Sequence, residues 1–181
     1  MFFSGSAFRA GHAIGINNDQ RFHVGGKVVK VIQAGKAFAP SKIEEVPMSI
    51  RRVNSPHVPE PPPERWSNCL VADGIAYVSG MTARGIDPET LARMDEYEQA
   101  KIAFGKIKGM IEAAGGTMAD VVKVTIYVTS IKNNTKVWAA RREFFTGDFP
   151  ASTLVEVSAL ATPEILVEIE AIAHIGKGAR R

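Results

Sequence analysis

The sequence predicts an α+β domain in which two helices cover one face of a mixed sheet, and three observations carry the prediction. Residues Val121–Thr129 alternate Val122, Val124, Ile126 and Val128 against Lys123, Thr125, Tyr127 and Thr129, the period-two pattern of a strand with one buried face. The runs Phe149–Val157 and Ile165–Ala173 are rich in β-branched residues, are separated by a Thr162-Pro163 break, and suit neighbouring strands of the same sheet. From Asp95 the period becomes helical: Tyr97, Ala100, Ala103, Phe104, Ile107, Met110, Ile111 and Ala114 recur at intervals of three and four.

Residues 1–47 hold six of the 16 glycines and no sustained helical period. Within them Arg21–Ile32 fits a strand or a hairpin about Gly25-Gly26, with His23 read as a surface residue rather than a ligand. The start has no acid before Asp19, as in a transit peptide, but one arginine in its first ten residues and several glycines make a poor amphipathic helix. We therefore expect an extension over 1–47, a domain over 48–176 and a short tail over 177–181.

The domain opens with a strand at Ser49–Val53. Pro56, Pro59, Pro61, Pro62 and Pro63 then stiffen an extended crossing, because proline fixes φ and donates nothing to a ladder. Trp66–Ala72, Asp73-Gly74 and Ile75–Gly80 read as a β-hairpin, and residues 85–90 as a loop. The first helix is stopped by Gly115-Gly116. A second runs from about Asn134, a candidate cap, to Phe145, and Gly147 releases the chain toward the last two strands.

A chain of 181 residues with 45% apolar content suits a domain with a proper core. One cysteine excludes an internal disulfide and a multi-cysteine metal site and fits a reducing, cytoplasmic setting. Cys69 itself reads as a small buried hydrophobe rather than a nucleophile. The net charge of +3 arises within residues 1–50, where six Lys/Arg face three acids; the rest is neutral, with no electrostatic call for nucleic acid. No apolar run is long enough to span a bilayer. Glycine-rich phosphate loops followed by Lys-Ser/Thr, His-x-x-x-His spacing and Gly-x-Ser-x-Gly elbows do not occur, so neither a cofactor nor a metal is expected.

An ordered series of motifs resembles the Rid family (reactive intermediate deaminases, also called YjgF-type). It comprises Ser79-Gly80 after Ile75-Ala76-Tyr77-Val78, the Ala-Ala-Gly-Gly helix end, Val-Val-Lys-Val-Thr-Ile-Tyr-Val, and Glu143-Phe144-Phe145. The Phe-Pro-Ala turn, Val-Glu-Val and Val-Glu-Ile-Glu-Ala-Ile-Ala complete it, and the whole covers roughly residues 50–175. The resemblance implies a chorismate-mutase-like fold and a homotrimer with ligand clefts between subunits. It also implies a cleft lined by Ser79 and Gly80, with Glu170 as the last-strand glutamate that positions water. Where deaminating relatives carry a carboxylate-binding arginine, this chain has Ser152, which offers neither the charge nor the fork. The family's early tyrosine corresponds to Trp66 and its helix asparagine to Trp138, both bulkier and more apolar. Arg141 and Arg142 are candidates for a replacement guanidinium, although adjacent helix arginines are usually solvated. Ser79-Gly80 reads equally as an ordinary strand end; Glu168 and Glu170 share one side of their strand, and one of the two reads equally as facing solvent or an interface cation. His174 reads as a packed residue rather than a base.

Two functions follow from the resemblance. One is a hydrolase acting on a small imine or enamine, a deaminase whose substrate differs from the usual carboxylate. The other is a non-catalytic trimeric ligand-binding or interaction module with a Trp-lined cleft. Ribonuclease activity, attached to some relatives, finds little support in a neutral domain without an evident acid/base pair.

Overall fold

The computed structural model describes residues 49–178 and, ahead of them, the backbone of two strands, β1 (Arg21–Val24) and β2 (Lys27–Lys30). The chain divides into two units, residues 1–48 and 49–181. In the first, β1 and β2 pair antiparallel with Arg21 opposite Lys30 and Val24 opposite Lys27, the expected hairpin. The Gly25-Gly26 turn, the side chain of His23 and the transit-like start lie outside the described residues.

The second unit holds a six-stranded mixed sheet ordered β3-β4-β5-β8-β6-β7. Its strands are β3 (Ile50–Arg52), β4 (Cys69–Ala72), β5 (Ile75–Met81), β6 (Val121–Val128), β7 (Ala151–Glu156) and β8 (Val167–His174). Every neighbouring pair is antiparallel except β6 and β7. A parallel pair needs a crossover, and helix α3 (Asn134–Arg141) supplies it. The expectation that the last two strands are neighbours is corrected here: both belong to the sheet, but β6 lies between them. The short connection from β7 to β8 thus skips over β6, which the sequence between them cannot reveal.

The β4–β5 hairpin turns on Asp73 (φ 50°) and Gly74 (φ 76°), the pair of positive φ values a two-residue turn requires. Its first strand starts at Cys69, three residues later than expected, because residues 66–68 approach the sheet as a bend. Helix α1 (Pro88–Arg93) occupies what reads as a loop. Its start is chemically explicit, with Asp87 as N-cap accepting from the Thr90 N–H at 3.0 Å and Pro88 in the first turn. Six residues with one buried apolar side chain, Leu91, are too few to show a period.

Helix α2 (Glu96–Ala113) follows the predicted pattern closely. Asp95 caps it by accepting from the Glu98 N–H, and Glu98 reaches back to the Asp95 N–H, a reciprocal capping box. Its other end closes with Gly115 N–H donating to Glu112 O and Gly116 N–H to Ile111 O, which occupies two carbonyls the helix leaves unpaired. Phe104, Ile107, Met110 and Ile111 are fully buried against β5, β8 and α3, each contributing about 1.5–3 kcal/mol by burial. Helix α3 ends at Arg141 and not Phe145, residues 142–144 continuing as turns that bring the Phe144 and Phe145 rings within 5.5 and 5.8 Å of Phe104. Its cap position falls on Asn133, whose amide instead donates to the buried Glu96 at 2.5 Å.

The covered face takes Val124, Ile126 and Val128 from β6 and Val167, Ile169, Ala171 and Ala173 from β8. Val122, expected on that face, is 44% exposed. Its strand bulges between Val121 and Lys123, so Val121 takes the buried place and Val122 is the extra residue. Of Leu154, Val155 and Val167, whose apolar side chains suggest an interface, Val167 is fully buried in the core instead and Val155 is exposed. Cys69 is buried and burial pushes its thiol up to about 11 against the opposing pull of Arg51, the inert state expected of a packed cysteine. His174, expected to be packed, is exposed at the end of β8.

Candidate functional site

The opposite face of the sheet has no helix over it among the described residues. It presents Leu70, Tyr77, Ser79, Thr125, Glu168, Glu170 and Ile172, the residues that alternate with the buried set. Two hollows open beside these strands and share Ser79.

The first hollow, about 350 Å³, lies where β5 runs into the following loop and includes Trp66, Ser79, Gly80, Arg84, Lys106 and Glu168. Strand β5 is irregular here: Val78 pairs with Ala171 but Met81 with Ile169, so one residue too many stands at Ser79-Gly80. That irregularity sets Gly80 directly against the Glu168 carboxylate, which occupies the space a Cβ would fill. Glycine is required there for close approach, not for turn geometry. Burial pushes the half-buried Glu168 carboxyl above its ordinary value; Arg84 opposes this and neighbouring Glu170 adds to it. Ser79 N–H is fixed by Asn68 O at 2.9 Å, while the Ser79 hydroxyl is buried with no hydrogen-bond partner among the described residues. Buried hydroxyls are rarely left so, and this one sits between both hollows with its donor and acceptor uncommitted.

The second hollow, about 320 Å³, is lined by Tyr77, Lys123, Thr125, Glu170 and Ile172 together with Ser79. Glu170 stands opposite Thr125 and accepts from the Tyr127 hydroxyl at 3.5 Å. The Tyr127 hydroxyl is pushed up, first by burial and then by the charge of Glu170. Lys123 donates to Thr153 Oγ1 at 2.5 Å.

The predicted site residues are therefore divided. Trp66, Ser79 and Gly80 come together in the first hollow, while Glu170 shares only Ser79 with them and lies in the second. Ser152 is exposed on edge strand β7 opposite Val124, and Trp138 is 38% exposed on α3; neither lines either hollow. Arg141 stacks over the Phe149 ring at 5.2 Å and Arg142 is exposed, so neither brings a guanidinium to the hollows of its own chain. Arg84 and Lys106, to which the sequence does not point, and Glu168, weighed there only beside Glu170, also line the first hollow. A strand carrying two glutamates on one side gives no signal of which meets Gly80, because the β5 irregularity decides it. Among the described residues no cluster of three or more His, Cys, Asp or Glu is placed to hold a metal, and no helix is long and apolar enough to cross a membrane.

Comparison with known proteins agrees with this architecture. A family model described as endoribonuclease L-PSP matches residues 58–175. A Pseudomonas aeruginosa protein of unknown function is 41% identical at a TM-score of 0.67, covering 71% of this chain and 94% of its own. A Rid-family protein from Yersinia pestis, YyfA, is 33% identical at 0.62 over 70% of this chain and all of its own (100%). A Mycobacterium tuberculosis member of the YjgF/YER057c/UK114 family is 34% identical at 0.54 over 61% and 86%. On the extent of the family match and the identity to these relatives, the chain belongs to the endoribonuclease L-PSP family, the YjgF/Rid group.

Proposed function

We propose that the protein hydrolyses the C=N bond of a small imine, or of an enamine after it tautomerises, releasing ammonia. The observation that carries this reading is a half-buried carboxyl, Glu168, seated against Gly80 in a hollow that also holds the unpartnered Ser79 hydroxyl. Addition of water to C=N needs a group that takes a proton from water as its oxygen bonds to carbon. The same group then returns a proton to nitrogen as the C–N bond breaks. A carboxyl that burial holds above its ordinary value suits both halves of that exchange. The balance is R₂C=NH plus water giving the carbinolamine, then R₂C=O plus ammonia, with Glu168 ending as it began. Glu170, to which the resemblance assigns this work, stands outside the hollow that holds Gly80 and Trp66, and we assign the role to Glu168. The Ser79 hydroxyl is available to orient the water or the substrate nitrogen.

The working form we propose is a homotrimer. Leu70, Tyr77 and Val155 are 37%, 47% and 39% exposed on the open side of the sheet, apolar area that suits burial between copies. In such an assembly Ser152 and Trp138 would meet the clefts of a neighbouring copy. The single free thiol, Cys69, suits a reducing compartment such as the cytoplasm. A ligand-binding module without catalysis is the second reading, favoured by Ser152 standing where deaminating relatives carry arginine. The two separate in one assay: ammonia release from freshly generated 2-imino acids, with and without the protein. We expect acceleration above the spontaneous rate; ligand-dependent tryptophan fluorescence without any acceleration would instead establish the binding module.

A further inference from the structure

The hollow that holds Glu168 also holds a guanidinium on a prepared support. Arg84 lies in the loop after β5, with its Cζ 5.7 Å from the centre of the Trp66 ring. Trp66 is itself oriented, since its Nε1 donates to Asn68 Oδ1 at 3.3 Å and the buried Asn68 donates to Pro59 O at 3.0 Å. The loop backbone is pinned as well. Arg84 N–H donates to Thr82 Oγ1 at 3.2 Å, and Lys106 Nζ donates to the carbonyls of Thr82 at 2.8 Å and Arg84 at 2.5 Å. Burial, and then Arg84, hold the Lys106 ammonium below its ordinary value.

This support serves no internal ion pair. Arg84 acts electrostatically on Glu168 yet forms no salt bridge with any described residue, so opposite charges stand on the walls of one hollow without closing on each other. A ligand seated between them meets a cation at one end and a carboxyl at the other. With its Cζ in cation–π range of Trp66 and no described residue accepting from its side-chain N–H groups, the guanidinium is left for a planar two-oxygen anion, the partner its fork fits best.

We infer that Arg84 is the anion-binding residue of this site, so that the ligand carries a carboxylate directed to Arg84 and a nitrogen end directed to Glu168. The cation absent at Ser152 is thereby supplied from the loop after β5, on a different element. The nitrogen end rests on the hydrolytic reading proposed above; the anion site does not.

Ligand-observed NMR titration of the full chain with pyruvate and with its neutral methyl ester tests the anion site without chemistry. We expect pyruvate to bind wild type about 10- to 150-fold tighter than the ester, the span of a lost charge-assisted pair. Arg84→Met, which keeps an apolar stem over Trp66, erases that preference. Arg84→Lys keeps the charge, loses the fork and falls between. Equal binding of acid and ester by wild type, or an undiminished preference in Arg84→Met, overturns the inference. If Arg84→Met does not fold, a wild-type preference in Arg84→Lys overturns it equally. Ammonia release separates the two proposals: Arg84-dependent pyruvate binding without release keeps the anion site and removes hydrolysis, while release with unchanged KM in Arg84→Met does the reverse.

Discussion

Glu168 and Glu170 project from the same side of β8, two residues apart, and live in different chemical environments. Glu168 is pressed into the place of a missing Cβ at Gly80 and faces a hollow with Trp66 and Arg84. Glu170 lies over the middle of the sheet, opposite Thr125 and bonded to Tyr127. Strand periodicity made the pair equivalent; an irregularity in the neighbouring strand made them different. The same contrast holds for the sheet as a whole. Its helix-covered face buries apolar side chains from β4, β5, β6 and β8, and its open face mixes carboxylates, hydroxyls and exposed apolar side chains. Stability and chemistry thus sit on alternate residues of the same strands.

The widest separation is expected between the faces. Phe104→Ala removes a fully buried ring that meets Phe144 and Phe145 and should cost about 3–5 kcal/mol in denaturant unfolding. Tyr77→Glu, on the open face, should instead leave the circular dichroism spectrum intact and move light scattering from about three times 19.6 kDa toward one. A wild-type chain that stays monomeric at high concentration would break the trimer proposal.

Gly80→Ala comes next. The clash falls on the far end of a flexible glutamate, so the fold should persist while the carboxylate is pushed out of position. We expect ammonia release to fall about 10- to 100-fold, the scale of a misplaced acid/base group, with little change in melting temperature.

The smallest effect is a pH dependence. The folded protein holds a proton on Glu168 at pH values where the unfolded chain, with its carboxyl at the ordinary value of 4.5, has released it. Stability contributed by that proton is present below 4.5 and is lost as pH rises through the raised folded value. Asp120 behaves oppositely: burial pushes it up, but backbone N–H groups including those of Gly178 and Thr117 outweigh burial and hold it below its ordinary value. Its contribution is present at neutral pH and is lost as pH falls below 3.8. Relative to wild type, Glu168→Gln should therefore gain in melting temperature as pH rises above 4.5. A pH-independent difference would show that the Glu168 carboxyl is not raised.

Much of this architecture was legible because it rests on burial. The α2 stripe, the Asp73-Gly74 turn and the alternation of β6 each carry a local signal that the structure repeats. What failed to show was non-local. Nothing in 149–173 says that β6 separates β7 from β8, and nothing in Val121–Val128 marks Val122 as the extra residue. For the candidate site, Trp66, Ser79 and Gly80 were nameable from the resemblance and line one hollow. Arg84 and Lys106 were not, because a loop arginine and a lysine on a helix flank have no period, and their relation to Glu168 exists only after β5, α2 and β8 pack.

The account turns on which glutamate works, and that is measured by ammonia release from a freshly generated 2-imino acid. Wild type, Glu168→Gln and Glu170→Gln are compared at matched oligomeric state, confirmed by light scattering. The account predicts a loss of about 10²–10⁴-fold in kcat for Glu168→Gln, the contribution of a positioned acid/base group, and a change within about threefold for Glu170→Gln. The reverse order, or equal and small losses in both, would contradict it.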